Sequence, residues 1–439
     1  MTIPSADSAD NTRARERDLL ALMPLARELA PRIHVIDRQT GAEIETRSSV
    51  VHCLARIKEV PGAAERAEAS VRFDGRDLSV RGVFRCGSVW CCPLCAARAA
   101  AADREAVSAA CRDFIARGYA ISMCLGTVPH KRGEALAMVK GRLDAVKSKV
   151  LAIIRRRYVG AIKVEYVWNN ETSHHWINSW HPHNHFLFFI PPTASLSEFN
   201  EFFIDTWCSV AKKLGVVIDA RALQAEAAAD AEAAARYIAK DRVDGAAAEI
   251  AGGPGKTARG DHLTPLELLE RIHEFRRQMR GGRRLDRTEY RQMRRLEELY
   301  REYVEVYHGA GRRLQPSSGV SLRTPEAEVG GEEARTSRDG AEIARVDEAG
   351  WTREVVTGLA DLRDELRQAE PEDWFRAAFG YFVMHGASPG SIRPGADVDP
   401  ADWLTEDDIA AILAARDRQR VQDEMDEAAA AFAAWQMAA

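Results

Sequence analysis

The residues SWHPHNHFLFFI, at 179–190, place three histidines two positions apart and follow them directly with an apolar and aromatic run. Side chains two apart along a β-strand share a face, so His181, His183 and His185 can all project to the same side. The run at 186–190 is typical of a buried strand, and two prolines end it. Taken alone, alternating histidines fit a solvated strand end about as well as a metal site.

Further strands and helices are predicted around this segment. Residues 119–128 and 161–168 have the apolar patterns of strands, and amphipathic helices are predicted at 134–158, 196–213 and 225–241. The segment ETSHHWINSW, in front of the histidines, is predicted to be a loop. The order β, α, β, β, α predicts an α+β fold with an antiparallel sheet, because the second and third strands can pair as a hairpin.

The length of 439 residues is enough for about two to three domains. Changes in composition indicate where they begin and end, and a stretch rich in Gly, Ser, Glu and Arg indicates a linker. We expect a flexible leader at 1–45, a zinc-binding module at 46–100, the α+β domain at 101–265, a basic helical extension at 266–320, the linker at 321–349 and an acidic helical domain at 350–439.

Charge is unevenly distributed along the chain. The net charge is −5, yet residues 326–439 carry 26 acidic and 11 basic side chains, whereas the remainder carries 40 acidic and 50 basic ones. The chain is therefore a basic body with an acidic C-terminal region. A basic body suits a protein that binds a phosphate backbone, although many basic faces bind no nucleic acid. The acidic region is compatible with docking of a host protein, with restraint of the basic body or with self-association.

Four of the eight cysteines have the spacing of a metal site. Cys92 and Cys95 form a CxxC turn that can direct two thiolates at one ion, and Cys86 lies six residues upstream. A closed tetrahedral site needs a fourth ligand, for which Cys53 is the first candidate and His52 the alternate. The chain has no apolar leader and no apolar stretch of about 18 residues, so we expect a cytoplasmic protein with no membrane partner. In a cytoplasmic protein, a cysteine group of this kind is expected to hold structural Zn²⁺.

The segment RYIAKD adds a candidate nucleophile. In a helix, Tyr237 and Lys240 lie three residues apart on one face. A phenol beside an ammonium and a metal ion can attack phosphorus, with the lysine favouring phenolate and holding phosphate charge. By itself, this spacing more often belongs to a core tyrosine and a solvated lysine.

The alternating histidines become more informative beside that tyrosine. His183 and His185 can supply two nitrogen ligands to a divalent ion that polarises a scissile phosphate. Glu165 is predicted as the third ligand, because it lies on the strand expected to pair with the histidine strand. An exposed acidic residue on an edge strand explains Glu165 equally well.

Together, the segments TVPHKRGEAL, HPHNHFLFF, RYIAK and CGSVWCCPLCA resemble the zinc-bearing Rep family of rolling-circle plasmid replication initiators, which are HUH endonucleases. The resemblance extends from about Cys53 to Arg323. It implies that 101–265 is an HUH endonuclease domain, an antiparallel sheet flanked by helices. It also implies a site-specific DNA nickase, in which His183 and His185 hold Mn²⁺ or Mg²⁺ while Tyr237 takes the 5′ phosphate and frees a 3′ hydroxyl.

The same resemblance implies further roles. Lys240 would assist Tyr237, Glu232 is the nearest match to a glutamate that activates water to end a round, and the four cysteines would hold Zn²⁺. Asn184 stands between the two histidines, where the family usually has a hydrophobic residue. The implied DNA partner is origin DNA, single-stranded or in a hairpin. A host helicase is also expected, because GGPGKT lacks the first glycine of a nucleotide-binding loop and the sequence shows no other motif for ATP-driven unwinding.

Candidate DNA contacts lie on two basic helical segments, 141–157 and 275–313, and in the glycine-rich loop. The residues assigned to them are Arg155, Arg156, Arg157 and Lys256. Two other functions fit the same residues. One is a mobilisation relaxase or transposase with the same chemistry, and the other is a non-catalytic, zinc-containing DNA-binding regulator. The sequence makes no prediction of oligomeric state.

Overall fold

The computed structural model describes residues 19–36, 43–55, 68–76, 78–176, 179–228, 262–322 and 340–438. The chain forms two compact units, and each is described by itself. Unit 1 comprises Met1–Val51 and Gly87–Val329, and unit 2 comprises His52–Cys86 and Gly330–Ala439.

Unit 1 combines helices with antiparallel strands, and elements are numbered along the whole chain. Its helices are α1 (19–28), α2 (Pro93–Ala116), α3 (Leu136–Arg157), α4 (Leu196–Lys213), α5 (Pro265–Arg280) and α6 (Arg287–Tyr307). Its strands are β1 (Arg32–Ile36), β2 (Glu43–Arg47), β5 (Ala120–Thr127), β6 (Glu165–His175), β7 (Ser179–Ile190), β8 (Gln224–Ala227), β9 (His262–Leu263) and β10 (Leu314–Pro316). Within the described residues, we find no helix that is long and apolar enough to cross a membrane.

The main sheet of unit 1 has the strand order β10-β6-β7-β5-β8, with β9 also paired to β6. All of these pairs are antiparallel. The predicted α+β fold is therefore confirmed, as is the hairpin between the second and third predicted strands. The hairpin is longer than predicted, because β6 continues through residues 171–175, which the sequence had suggested to be loop.

The apolar side chains of β7 alternate between the two faces of this sheet, and both faces are buried at this point. Phe186 and Phe188 pack in the core formed with α3 and α4, whereas Leu187 and Phe189 pack against α2 on the other face. Phe114 of α2 stacks on Phe189 with ring centroids 4.0 Å apart. Neither core includes the preceding residues of β7, so the histidines lie where the strand extends past both cores.

The prediction that a helix begins at residue 225 is wrong. Gln224–Ala227 form β8, which pairs with β5 from Leu125 to Ser122. Without β8, the outer edge of β5 would present unpaired backbone groups, which explains why alanine-rich residues adopt a strand here. The rest of that predicted helix lies outside the described residues.

Unit 2 combines a four-stranded antiparallel sheet with helices. Its strands, in the order β12-β11-β3-β4, are β3 (Ala69–Phe73), β4 (Leu78–Arg81), β11 (Ala341–Val346) and β12 (Ile392–Pro394). Its helices are α7 (Arg353–Thr357), α8 (Leu359–Leu366), α9 (Trp374–Met384) and α10 (Glu406–Ala438). β3 and β4 pair antiparallel as a hairpin. Residues 341–346, which the sequence placed in a linker, instead form β11, because this strand completes the sheet next to β3.

Candidate functional site

Glu171, His183 and His185 converge on one face of the β6–β7 hairpin. Their ligand atoms all lie within 4.8 Å of one another. The register sets Glu171 directly opposite His183, and the alternation of the strand puts His185 on the same face. Oε2 of Glu171 lies 2.9 Å from Nε2 of His185 and 3.6 Å from Nε2 of His183. One carboxylate and two imidazoles form a donor set that suits a divalent transition metal such as Mn²⁺.

The charge of this group is suited to a cation. Burial raises the pKa of Glu171, but hydrogen bonds from His183 and His185 outweigh it and hold the pKa well below its usual value. The carboxylate is therefore ionised at neutral pH. The side chains of Glu171 and His183 are 21% and 14% exposed, so the group is reachable from solvent.

The backbone of β7 orients one of these imidazoles. Nδ1 of His183 lies 3.3 Å from the carbonyl oxygen of His181. A proton on Nδ1 can be donated to that carbonyl, and Nε2 is then the nitrogen available to bind a metal ion beside the carboxylate of Glu171. Hydrogen bonds of this kind commonly fix the tautomer of a metal-binding histidine.

Other imidazoles continue the row beyond the metal group. The ring of His181 lies 5.2 Å from that of His183, 5.1 Å from His130 and 6.2 Å from His262, measured between centroids. Burial, followed by the charges of neighbouring histidines, lowers the pKa of His181 to about 3. His181 is thus a neutral member of a histidine row.

Glu165, the predicted third ligand, lies away from the histidines. It precedes Glu171 by six residues of β6, which is about 20 Å along a strand. Its carboxylate pairs with Lys163 and accepts hydrogen bonds from the Ser317 hydroxyl and the Gly319 backbone N–H. Glu171, rather than Glu165, is thus the carboxylate that lies beside the two histidines. If the strands of the hairpin had been predicted to extend into 171–180, instead of a loop, Glu171 would have been identified as the residue opposite His183.

Asn184 points to the opposite face of β7, away from the metal group. It is fully buried, and Nδ2 of Asn170 donates to its Oδ1 at 3.0 Å. The hydroxyl of Tyr307, on α6, donates to Oδ1 of Asn170 and also contacts Thr172. The polar residue between the two histidines is thus matched by a polar partner across the hairpin and does not disturb the ligand face.

Tyr307 is the tyrosine of α6 nearest to this part of the hairpin, and its position argues against a catalytic role. It is buried on the face opposite to the histidines, and burial raises its pKa further above the usual value. The residues predicted to carry the chemistry, Tyr237, Lys240 and Glu232, lie outside the described residues, as does Lys256.

The four predicted zinc ligands come together. The sulfur atoms of Cys53, Cys86, Cys92 and Cys95 lie within 4.8 Å of one another. Four thiolates at this spacing suit tetrahedral Zn²⁺. Cys92 occupies the N-cap position of α2, where the helix dipole favours thiolate. His52, the alternate ligand, is exposed and does not belong to this group.

The predicted DNA contacts on α3 lie apart from the metal group. Arg155, Arg156 and Arg157 are exposed at the end of α3, the helix that packs on the face opposite to the histidines. Arg155 donates to the Tyr166 hydroxyl at 3.0 Å, and Arg157 lies 4.5 Å from the ring centroid of Phe202. Two of the three arginines therefore already have partners in the fold.

A second group of arginines, at the turn between α5 and α6, has fewer partners. Arg280, Arg284, Arg287 and Arg291 are exposed, and none has an acidic partner among the described residues. Burial and then the charge of Arg295 lower the pKa of His174 to about 4, so α6 brings cationic side chains to the histidine end of β6. The sequence had assigned 275–313 to DNA binding without naming these residues.

Comparison with known proteins gives one informative match. The chain is 26% identical over 300 residues to "Protein rep" of Streptomyces lividans, and the aligned region covers 49% of this chain and 64% of the relative. The match thus spans less than two thirds of that relative's length. No protein-family model matches the chain, and no solved structure matches it significantly. The chain is similar to a Rep protein over about half of its length.

Proposed function

We propose that this protein initiates rolling-circle replication by nicking and rejoining one DNA strand at a plasmid-type origin. The observation that carries the proposal is the convergence of Glu171, His183 and His185 on one face of an antiparallel hairpin, in a chain similar to a Rep protein. A carboxylate and imidazole set of this kind, on an accessible face, can hold an ion that assists cleavage of a phosphodiester.

In this proposal, Glu171, His183 and His185 hold Mn²⁺ or Mg²⁺. The bound ion would polarise the scissile phosphate and offset the negative charge that develops during attack. The ionised carboxylate of Glu171 favours cation binding, and the carbonyl of His181 orients His183. The cysteine group would hold Zn²⁺ in a structural role.

Tyr237 is the proposed nucleophile. Its phenolate attacks phosphorus, a tyrosine–phosphate bond forms at the 5′ side, and the bond to the 3′ oxygen breaks and releases a 3′ hydroxyl. Lys240 would favour the phenolate and hold phosphate charge, while Glu232 would activate water to end the round.

The proposed substrate is single-stranded or hairpin DNA at the origin, opened with the help of a host helicase. The exposed arginines at the turn between α5 and α6 support binding of a phosphate backbone. A mobilisation relaxase or transposase would use the same chemistry on different DNA, so the origin supplied in the assay separates these functions.

The test is a covalent adduct assay with the full chain. End-labelled origin DNA and Mn²⁺ should give a protein–DNA adduct that survives denaturing electrophoresis and disappears in Tyr237→Phe. Tyr290→Phe, at an exposed tyrosine of α6, is the matched control and should form the adduct normally. No adduct with the unaltered protein would favour a non-catalytic DNA-binding regulator, and an adduct that persists in Tyr237→Phe would refute the assignment of the nucleophile.

A further inference from the structure

In the second half of α10, the side chains that the structure describes do not pack against the rest of unit 2. The helix has 33 residues and is therefore about 50 Å long. Its first turns lie beside α9, where Arg376 pairs with Asp408 at 2.8 Å and Ile412 and Leu413 are partly covered. From Asp417 onward, every side chain that the structure describes is exposed.

This exposed segment includes apolar side chains that have no covering element among the described residues. Val421 and Met425 are 52% and 59% exposed, and they lie four residues apart on one face of α10. Most of the stability of a helix in a protein comes from packing of such a face against a neighbour. The exposed half of α10 therefore has the character of a helix that packs against a partner.

The charges on the same segment identify the partner. Residues 416–420 contain three arginines and Asp417, whereas residues 423–427 contain four acidic side chains and no basic one. The segment is thus basic on one side of its midpoint and acidic on the other. An antiparallel second copy would place the basic half of each helix beside the acidic half of the other, while a parallel copy would place like charges together.

We propose that two copies of this chain associate through the exposed half of α10, paired antiparallel about Val421 and Gln422. In this arrangement, Val421 and Met425 of both copies meet at the centre. Ala410, Ala411 and Ala414, in the first half of α10 of each copy, are exposed. Small residues there permit close approach of the two helices. The inference is independent of the nicking chemistry.

Charge reversal tests the pairing in the full-length protein. Sedimentation equilibrium should show a dimer for the unaltered chain. Arg418→Glu with Arg420→Glu, or Glu424→Arg with Asp426→Arg, should each raise the dimer dissociation constant at least about tenfold. Combining all four substitutions in one chain should restore dimerisation, as should mixing the two reversed variants. Arg353→Glu, at an exposed arginine of α7, is the control and should leave the dimer unchanged.

Three results would overturn the proposal. They are a monomer for the unaltered chain at tens of micromolar, a dimer that neither reversal weakens, and loss of dimer that the combined substitutions do not restore. Far-UV circular dichroism and thermal melting of each variant establish that the chain is folded. Because DNA nicking is not read out, failure of the proposed function would leave this test intact.

Discussion

Asn170 on β6 donates a hydrogen bond of 3.0 Å to Asn184 on β7, directly across the hairpin and on the face opposite to His183 and His185. A slip of one residue in a strand would move every side chain to the other face. Such a slip would separate the two buried amides and also remove Glu171 from its position opposite His183. The amide pair therefore stabilises the register that assembles the metal group.

We expect Asn184→Leu to lower the free energy of unfolding by about 1–3 kcal/mol, because the buried amide of Asn170 loses one of its two acceptors and keeps only the His183 carbonyl. Urea denaturation measures this change. The double variant Asn170→Leu with Asn184→Leu should lose less than the sum of the two single variants, since no buried amide is left unpaired. Additive losses would mean that the two side chains are not coupled.

Glu171→Gln and Glu165→Gln form a matched pair that separates the two candidate ligands. Glu171→Gln should weaken Mn²⁺ binding at least about tenfold, because the ion loses its carboxylate. Glu165→Gln should bind Mn²⁺ normally but be less stable, since it loses the ion pair with Lys163. Calorimetry with Mn²⁺ alone gives the affinities. Equal weakening in both variants would contradict the assignment of Glu171.

The full chain should contain about one Zn²⁺, measurable by elemental analysis after dialysis against buffer without metal. Cys92→Ser should reduce the zinc content sharply, because it removes one of the four thiolates. Cys91→Ser is the neighbouring control and should keep its zinc. Cys91 does not belong to the cysteine group, and burial raises its pKa to about 12, so it remains a thiol. Equal zinc content in both variants would refute the ligand set.

Unit 2 should lose stability in acid through Glu342. Burial raises the pKa of this residue, but hydrogen bonds from Arg345, Ser70 and the Ala396 N–H outweigh it and lower the pKa to about 2. Because the folded pKa lies below the unfolded value of about 4.3, the stabilisation is complete above that value and is lost as pH falls toward 2.

Glu342→Gln should therefore lower the free energy of unfolding at pH 7 by about 1.5–3 kcal/mol and flatten its dependence on pH between about 5 and 2. Chemical denaturation across this range measures both effects. Glu354→Gln, at an exposed residue of α7, should follow the unaltered protein. An unchanged pH profile in Glu342→Gln would contradict the role assigned to this carboxylate.

The exposed arginines between α5 and α6 should contribute to DNA binding by releasing counterions. Changing Arg280, Arg284, Arg287 and Arg291 to glutamine should reduce the slope of log affinity against log salt by up to about 0.7 per residue on single-stranded DNA. Fluorescence anisotropy at several salt concentrations gives the slope. The control changes four arginines that already pair with glutamates, Arg277, Arg283, Arg294 and Arg295, and should have a smaller effect.

The histidine strand and the CxxC cysteines could be predicted because each depends on residues that lie close together in the sequence. Alternation fixes the common face of His183 and His185, and CxxC spacing brings two thiolates to one ion. Glu171 was not predictable in the same way, since it depends on how far the hairpin continues. The polar residues at 169–175 lack the apolar pattern that indicates a strand, and their pairing with β7 determines their conformation.

Local sequence patterns also do not predict which strands pair when they lie far apart in the chain. The partner of β3 is β11, and Phe73 lies opposite Ala341. The residues of β11 were assigned to a linker because Gly, Ser and charged residues precede them. Nothing within either segment identifies the other, since the energy of the pair arises only when the two strands meet.

The pairing of β3 with β11 also sets an order of events during protein synthesis. Roughly 270 residues separate the two strands, so at about 5–20 residues per second β3 leaves the ribosome roughly 15–50 s before its partner exists. Unit 2 can complete its sheet only after β11 and β12 have been synthesised. A nascent or prematurely terminated chain that ends before residue 341 would therefore expose the edge of β3 to chaperones and proteases.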